Sequence, residues 1–176
     1  YIRQHLSGHD EIVAVHLRQD SVDTVALHLA ILKAGATQVF IDPESPSHLY
    51  RQIVEDAAPA LLITDTQLAL TTDTSLAVAG MSIRSLESLK AADSRTSSSH
   101  LRPLSHPSAC QGSPTQRIAS LFYTSGTTGA PKGVECPHAG YVNLVQSYAT
   151  FYDFVPGSDA SSLTSSLGYD GSISEM

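Results

Sequence analysis

Glu11-Ile12-Val13-Ala14-Val15-His16-Leu17, then Val22-Asp23-Thr24-Val25-Ala26-Leu27-His28-Leu29-Ala30-Ile31-Leu32-Lys33, then Thr37-Gln38-Val39-Phe40-Ile41 read as strand, helix and strand. Ile12, Val13 and Val15 supply the β-branched content that an extended, buried segment favours. Ser21 is placed to cap the helix, Asp23 sits in its first turn, and Gly35 marks its end. Val22, Val25, Ala26 and Leu29 fall at helical spacing and are the expected buried stripe. Asp42-Pro43 ends the second strand. Ser45 then becomes the expected cap of a second helix with Pro46 at its first position, where a missing N–H is harmless. Leu49, Ile53, Val54 and Ala57 form its inward face, and residues 60–64 form a third strand ended by Asp65. Three strands joined by two helices at these lengths need right-handed crossovers, which predicts an α/β fold: a parallel sheet with covering helices. The region is scaffold in this reading, with Asp42 or Asp65, each at a strand end, as the alternative ligand contacts.

Residues 1–90 thus form a βαβ scaffold, and a change of composition follows. Residues 91–117 include Asp93-Ser94-Arg95-Thr96-Ser97-Ser98-Ser99 and Pro103, Pro107 and Pro114. So much serine and proline with so few aliphatics reads as a long surface connection, partly disordered. Residues 118–176 carry the chemistry. An apolar strand-like run, 118–123, leads into Tyr123-Thr124-Ser125-Gly126-Thr127-Thr128-Gly129-Ala130-Pro131-Lys132-Gly133. Glycines let a backbone turn tightly and aim N–H groups at anionic oxygens. The hydroxyls of Thr124, Ser125, Thr127 and Thr128 add donors, and Lys132 adds a positive charge. The loop suits a polyphosphate. It is not the common nucleotide loop, which ends in Gly-Lys-Ser/Thr; a plain solvated turn is the other reading of such a cluster. Lys132 tips the balance, being the only Lys or Arg between Ile118 and Met176, a stretch that also holds Glu135, Asp153, Asp159, Asp170 and Glu175. Beyond the loop, Val134 leads to a helix over residues 138–151 with Val142, Leu144, Val145 and Tyr148 near helical spacing. Pro156-Gly157 makes a turn, and residues 161–167 are expected to form a short strand.

Composition bounds the function. A chain of 176 residues, 41% of them hydrophobic, can bury one sizeable core. A net charge of −7 argues against a nucleic-acid partner. No apolar run approaches membrane-spanning length, and the opening Tyr1-Ile2-Arg3-Gln4-His5 has no signal-peptide core. Cys110 and Cys136 lack metal-type spacing, so free thiols in a reducing, cytoplasmic compartment are expected. The eight histidines are scattered, His16 and His28 read as core histidines, and no structural zinc is expected. The chain does not begin with methionine and stops inside a motif, so it is expected to be a fragment of something longer.

The string from Tyr123 to Gly133 resembles the phosphate-binding signature of the AMP-forming adenylating enzymes, the superfamily of acyl-CoA synthetases, luciferases and peptide-synthetase adenylation domains. Leu32-Lys33-Ala34-Gly35-Ala36 with Ile41-Asp42-Pro43-Glu44-Ser45-Pro46 is similar to the segment upstream of that loop in adenylation domains of nonribosomal peptide synthetases. The closing Tyr169-Asp170-Gly171-Ser172-Ile173-Ser174-Glu175-Met176 resembles their aromatic-Asp-x-Ser amino-acid motif. The three matches fall in the family's order, and only residues 94–116 lie outside the similarity.

The resemblance implies an incomplete part of the large N-terminal domain of such an enzyme. It implies ATP and Mg2+ as cofactors, an α-amino acid as substrate, and phosphopantetheine on a partner carrier domain as acyl acceptor. The peptidyl carrier and condensation domains of the same synthetase are the implied partners. Thr124, Ser125, Gly126, Thr127, Thr128, Gly129, Lys132 and Gly133 would cradle the phosphates. Thr128 would lie closest to phosphate and magnesium, and Lys132 on the leaving pyrophosphate; these two are the candidate catalytic residues. Asp170 would pair with the substrate α-ammonium, Gly171 and Ser174 would line the side-chain pocket, and Tyr169 would lie near the carboxylate. Small Gly171 leaves room for a sizeable substrate side chain. An Asp before a helix can equally be an N-cap, here accepting the Ile173 N–H. The family's adenine and ribose motifs and its C-terminal lysine would lie beyond Met176. Alternatives are an acyl-CoA or aryl-CoA synthetase, an aminoadipate-reductase-type adenylation domain, and a non-catalytic nucleotide-binding module.

Overall fold

The structure, a computed structural model, describes residues 2–8, 10–18, 22–65, 80–93, 116–124, 130–155 and 157–175. Six strands make one sheet: β1 (Ile12–His16), β2 (Thr37–Phe40), β3 (Leu61–Thr64), β4 (Ser82–Ser85), β5 (Ile118–Thr124) and β6 (Lys132–Pro137). Their order is β4-β3-β1-β2-β5-β6. Neighbours are parallel except β5 and β6, which are antiparallel. Among the described residues the helices are α1 (Val22–Ala34), α2 (Ser47–Ala57), α3 (Leu86–Asp93) and α4 (His138–Phe151), with short 3-10 helices at Ile2–His5 and Asp170–Ser174. The α/β expectation holds, with a mixed rather than wholly parallel sheet.

The strand period of two divides the core. Val13 and Val15 of β1 point with Phe40, Leu61 and Ile63 to one face, against Leu27 and Ile31 of α1 and Leu89 of α3. Ala14 points with Val39, Ile41 and Leu62 to the other, under Tyr50, Ile53, Val54 and Ala57 of α2. Strands buried on both faces read as continuous apolar runs, as residues 61–63 do. Because β1 lies between β2 and β3, two crossovers of the same hand place α1 and α2 on opposite faces.

Helix α1 ends where expected. Gly35 takes φ of 75°, its N–H donates to Leu32 O, and the Ala36 N–H donates to Ile31 O, which closes the last turn. Its buried face differs from the expected one. Thr24, Leu27, His28 and Ile31 are inside, while Val22 and Leu29 are exposed. The helix is apolar nearly all round, so hydrophobic spacing alone cannot orient it. The polar contact decides: His28 Nδ1 lies 2.6 Å from Gln38 Oε1 on β2, both buried. Ser21 lies outside the described residues. Helix α2 buries its expected face, joined by Tyr50, but Ser45 is not its cap. Pro46 holds that place without a side-chain bond, and the Ser45 N–H is already used on Asp42 O.

Strands β4 and β6 escape a reading by hydrophobic pattern because both are edge strands. Ser82-Ile83-Arg84-Ser85 has one aliphatic residue, and Lys132-Gly133-Val134-Glu135-Cys136-Pro137 carries residues that interior strands avoid. The connection over residues 94–115 lies outside the described residues. No helix among the described residues is long and apolar enough to cross a membrane.

The buried histidines carry a stability prediction. Burial lowers the pKa of His16 and of His28 below 6.5; nearby Asp65 and Asp42 oppose this at His16, and the Gln38 bond opposes it at His28. The unfolded chain therefore binds more protons than the folded one just below that value, and stability falls as pH drops through about 6.5. Denaturant midpoints measured from pH 7.5 to about 5.5 should decline, and His16→Gln with His28→Gln should flatten the decline.

Candidate functional site

Strand β5 runs parallel to β2 and pairs antiparallel with β6, and in sequence the glycine loop joins these two strands. Thr124 and Lys132 are direct partners in the ladder. Ser125, Gly126, Thr127, Thr128 and Gly129 lie outside the described residues, so their expected phosphate contacts, and magnesium at Thr128, are not placed. Val134 lies in β6, and the helix expected over residues 138–151 follows as α4, with strand β6 as the element the sequence reading lacked.

Lys132 is exposed and has no ion-pair partner among the described residues. It stands beside the Thr124 hydroxyl at the carboxyl end of a strand in the parallel part of the sheet, the edge where open α/β folds hold their ligands. An unpaired cation and a hydroxyl there fit an anion. Gly133 has an internal reason to be glycine: a Cβ would stand 3.2 Å from Tyr123 Cζ, since the tyrosine ring lies across it. The Tyr123 hydroxyl donates to Asp56 Oδ2 at 2.6 Å, tying the hairpin to the last turn of α2. Burial and then the Asp56 carboxylate push that phenol far up, so it stays protonated. Sequence reasoning misses this anchor because 67 positions separate the partners.

Behind β5, the Tyr141 hydroxyl of α4 donates to Ser120 Oγ at 2.7 Å, and its ring centroid lies 6.1 Å from that of His28. Burial pushes the Tyr141 phenol up to about 12. Leu167 and Ile173 close over Phe40, Ser120 and Phe122, which brings the terminal motif against the face of β2 and β5. Ser166 Oγ lies 3.2 Å from Asp42 Oδ2, just past β2. The glycine loop and the terminal motif are therefore both mounted on β5, one at its end and one on its face.

Residues 161–167 form no strand. The Thr164 and Ser165 amides donate to the Glu175 carboxylate instead of a ladder, at 2.6 and 2.8 Å, and the Ser165 hydroxyl adds a third bond at 2.6 Å. Those donors hold the Glu175 carboxyl down at about 2. Asp170 is not the N-cap: Tyr169 occupies that position without a side-chain bond, and Asp170 is the first helical residue. Asp170 is exposed, and its carboxylate makes no hydrogen bond among the described residues. Its charge raises the pKa of the free Cys136 thiol, which burial raises first.

At Gly171 the space where a Cβ would stand is taken by the chain's own Tyr169 ring. Ser174 lines a groove of about 570 Å³ with Val145, Tyr148, Tyr152, Ile173 and Glu175, whereas Tyr169, Asp170 and Gly171 do not line it. No residue of helix α4 is fully buried: Tyr141 is half-buried, and Val142, Val145 and Phe151 are exposed.

Comparison with known proteins agrees with this architecture. Residues 3–176 match the family model described as AMP-binding enzyme. Tyrocidine synthase 3 of Brevibacillus parabrevis is 34% identical over 170 residues, 96% of this chain and 2% of that protein. Syringomycin synthase SyrB1 of Pseudomonas syringae pv. syringae is 35% identical over 158 residues, 89% of this chain and 23% of that protein. Among solved structures, the nonribosomal peptide synthetase FmoA3 superposes with a TM-score of 0.75 at 24% identity, covering 98% of this chain and 16% of that one, a likeness of fold. VinN in complex with 3-methylaspartate gives 0.65 at 27% identity, covering 84% of this chain and 39% of that one. The chain belongs to the AMP-binding enzyme family, and within it corresponds to the N-terminal part of adenylation domains of the nonribosomal peptide synthetase type. It spans 2% and 23% of the two synthetases just described.

Proposed function

We propose that this segment belongs to an enzyme that activates an α-amino acid with ATP and passes it to a carrier-protein thiol. The observation that carries the reading is two exposed opposite charges, one beside the end of β5 and one on the segment packed against it, neither in an ion pair among the described residues. Lys132 stands without an anionic partner at the end of β5, and Asp170 stands without a hydrogen bond on the segment packed against β5, both judged among the described residues. The first suits a polyphosphate and the second an ammonium, the two groups that ATP and an amino acid bring.

In this mechanism a substrate carboxylate oxygen attacks the α-phosphorus of ATP. The bond to pyrophosphate breaks, and its electron pair leaves on the pyrophosphate oxygen. The main obstacle is repulsion between carboxylate and triphosphate, and fixed donors and cations are the usual remedy. Lys132 and the loop residues Thr124, Ser125, Gly126, Thr127, Thr128, Gly129 and Gly133 would bind and orient the phosphates. Thr128 would also face Mg2+, which supplies further charge neutralisation. Asp170 would fix the α-ammonium, Tyr169 would stand beside the carboxylate, and Gly171 and Ser174 would face the substrate side chain. A phosphopantetheine thiol of a peptidyl carrier domain would then take the aminoacyl group as AMP leaves, with a condensation domain next in line.

The test uses the full-length protein. Pyrophosphate exchange is measured with amino acids and with the matching acids that lack the amino group. The amino-acid reading expects exchange with at least one amino acid and a strong preference for it over its desamino partner. Equal exchange with both would favour an acyl-CoA or aryl-CoA synthetase. ATP binding without exchange would favour a non-catalytic nucleotide-binding module.

A further inference from the structure

We propose that Glu175 is a positioning residue that holds the Asp170 segment in the geometry needed to receive an ammonium. The proposal rests on the amino-acid reading above. Residues 164–175 form a closed ring. At one end the Thr164 N–H, the Ser165 N–H and the Ser165 hydroxyl converge on the Glu175 carboxylate at 2.6, 2.8 and 2.6 Å, and the Thr164 hydroxyl lies 3.3 Å away. Charge-assisted bonds of this kind are the stronger sort, and here they come from two successive residues and meet at one carboxylate.

Asp170 sits midway around this ring. The remaining ties within it are short-range. The Tyr169 N–H donates to Ser166 O, and the Ser172 and Ser174 hydroxyls donate to Tyr169 O and Gly171 O. A side contact, Ser166 Oγ with Asp42 Oδ2, ties the ring to the end of β2, and Leu167 packs in the core beside Phe40. Glu175 thus closes the long path back to Thr164, and the turn bearing Asp170 is otherwise held by its neighbours in sequence, by the Ser166–Asp42 contact and by the buried Leu167, Ser172 and Ile173. Nothing in a solvated Ser/Thr run requires a carboxylate 11 positions later to gather its amides. Fixing the position of a recognition group is the task that such a closure performs. Recognition groups need this, because a displacement of about 1 Å can cost on the order of a hundredfold in rate.

The experiment compares Glu175→Ala and Glu175→Gln with wild type in the full-length protein, by pyrophosphate exchange with varied amino acid and varied ATP. Glu175→Ala should raise KM for the amino acid on the order of tenfold while leaving KM for ATP unchanged, and should narrow the preference for amino over desamino substrates. Glu175→Gln keeps an oxygen that can accept from one amide and should recover part of the loss. A Glu175→Ala protein with wild-type amino-acid KM and wild-type selectivity overturns the proposal. So does a parallel fall in kcat and rise in both KM values that tracks lost thermal stability, since that pattern marks a purely structural residue. A wild-type protein with no amino-acid-dependent exchange refutes the underlying reading, and is told apart from both by the wild-type control.

Discussion

Asp170→Asn should erase most of the discrimination between amino acids and their desamino counterparts while leaving the protein folded. The amide keeps the shape of the carboxylate but removes the charge that an α-ammonium needs. Removing one partner of a desolvated ion pair costs about 3–5 kcal/mol, so the wild-type preference is expected to be about a thousandfold and the variant's to be small. The magnitude depends on cover. Asp170 is exposed in this chain, and an exposed pair contributes only about 1 kcal/mol or less. A thousandfold effect therefore also means that the occupied site shields Asp170 from water. An effect of a few-fold would mean that it does not. Because Tyr169 rather than Asp170 holds the N-cap position, the substitution removes no capping bond, and the melting temperature should hardly move. Unchanged selectivity in Asp170→Asn would refute the pairing.

Lys132→Ala should slow pyrophosphate exchange by on the order of a hundredfold, the usual cost of losing one preorganised contact to developing charge. Amino-acid affinity measured without ATP should stay at the wild-type value, since Lys132 lies at the hairpin and not on the terminal motif. Folding should tolerate the change, because the side chain is exposed and has no ion pair among the described residues to lose. Wild-type exchange rates in this variant would reduce the loop to an ordinary turn.

The parts of this protein that could be read from the chain were those governed by local rules. Gly35 stops α1 because the positive φ there is easy only for glycine, and α2 shows its inward face because polar residues occupy the rest of its surface. Helix α1 resisted the same reading because nine of its 13 positions are apolar and they fall on every side. Its orientation is set by Gln38, on the next strand, and no spacing rule reports such a partner. Edge strands β4 and β6 lack the hydrophobic run that betrays a buried strand. The terminal motif was legible as a motif, but its supports were not. Glu175 gathers Thr164 and Ser165, and Tyr169 folds back on Gly171, through contacts that depend on the path of the chain rather than on residue type.

The Tyr169 ring over Gly171 has a consequence for measured affinity. Under the amino-acid reading, the space beside Gly171 would be open only in those molecules whose Tyr169 ring has swung aside. The apparent dissociation constant is then the intrinsic one divided by that open fraction. The ring is 61% exposed, so few contacts oppose its rotation, and exposed side chains change rotamer in roughly picoseconds to nanoseconds. Under the amino-acid reading, the closed population would weaken binding without slowing it. A smaller residue at position 169 would then tighten binding of a bulky substrate more than of a small one.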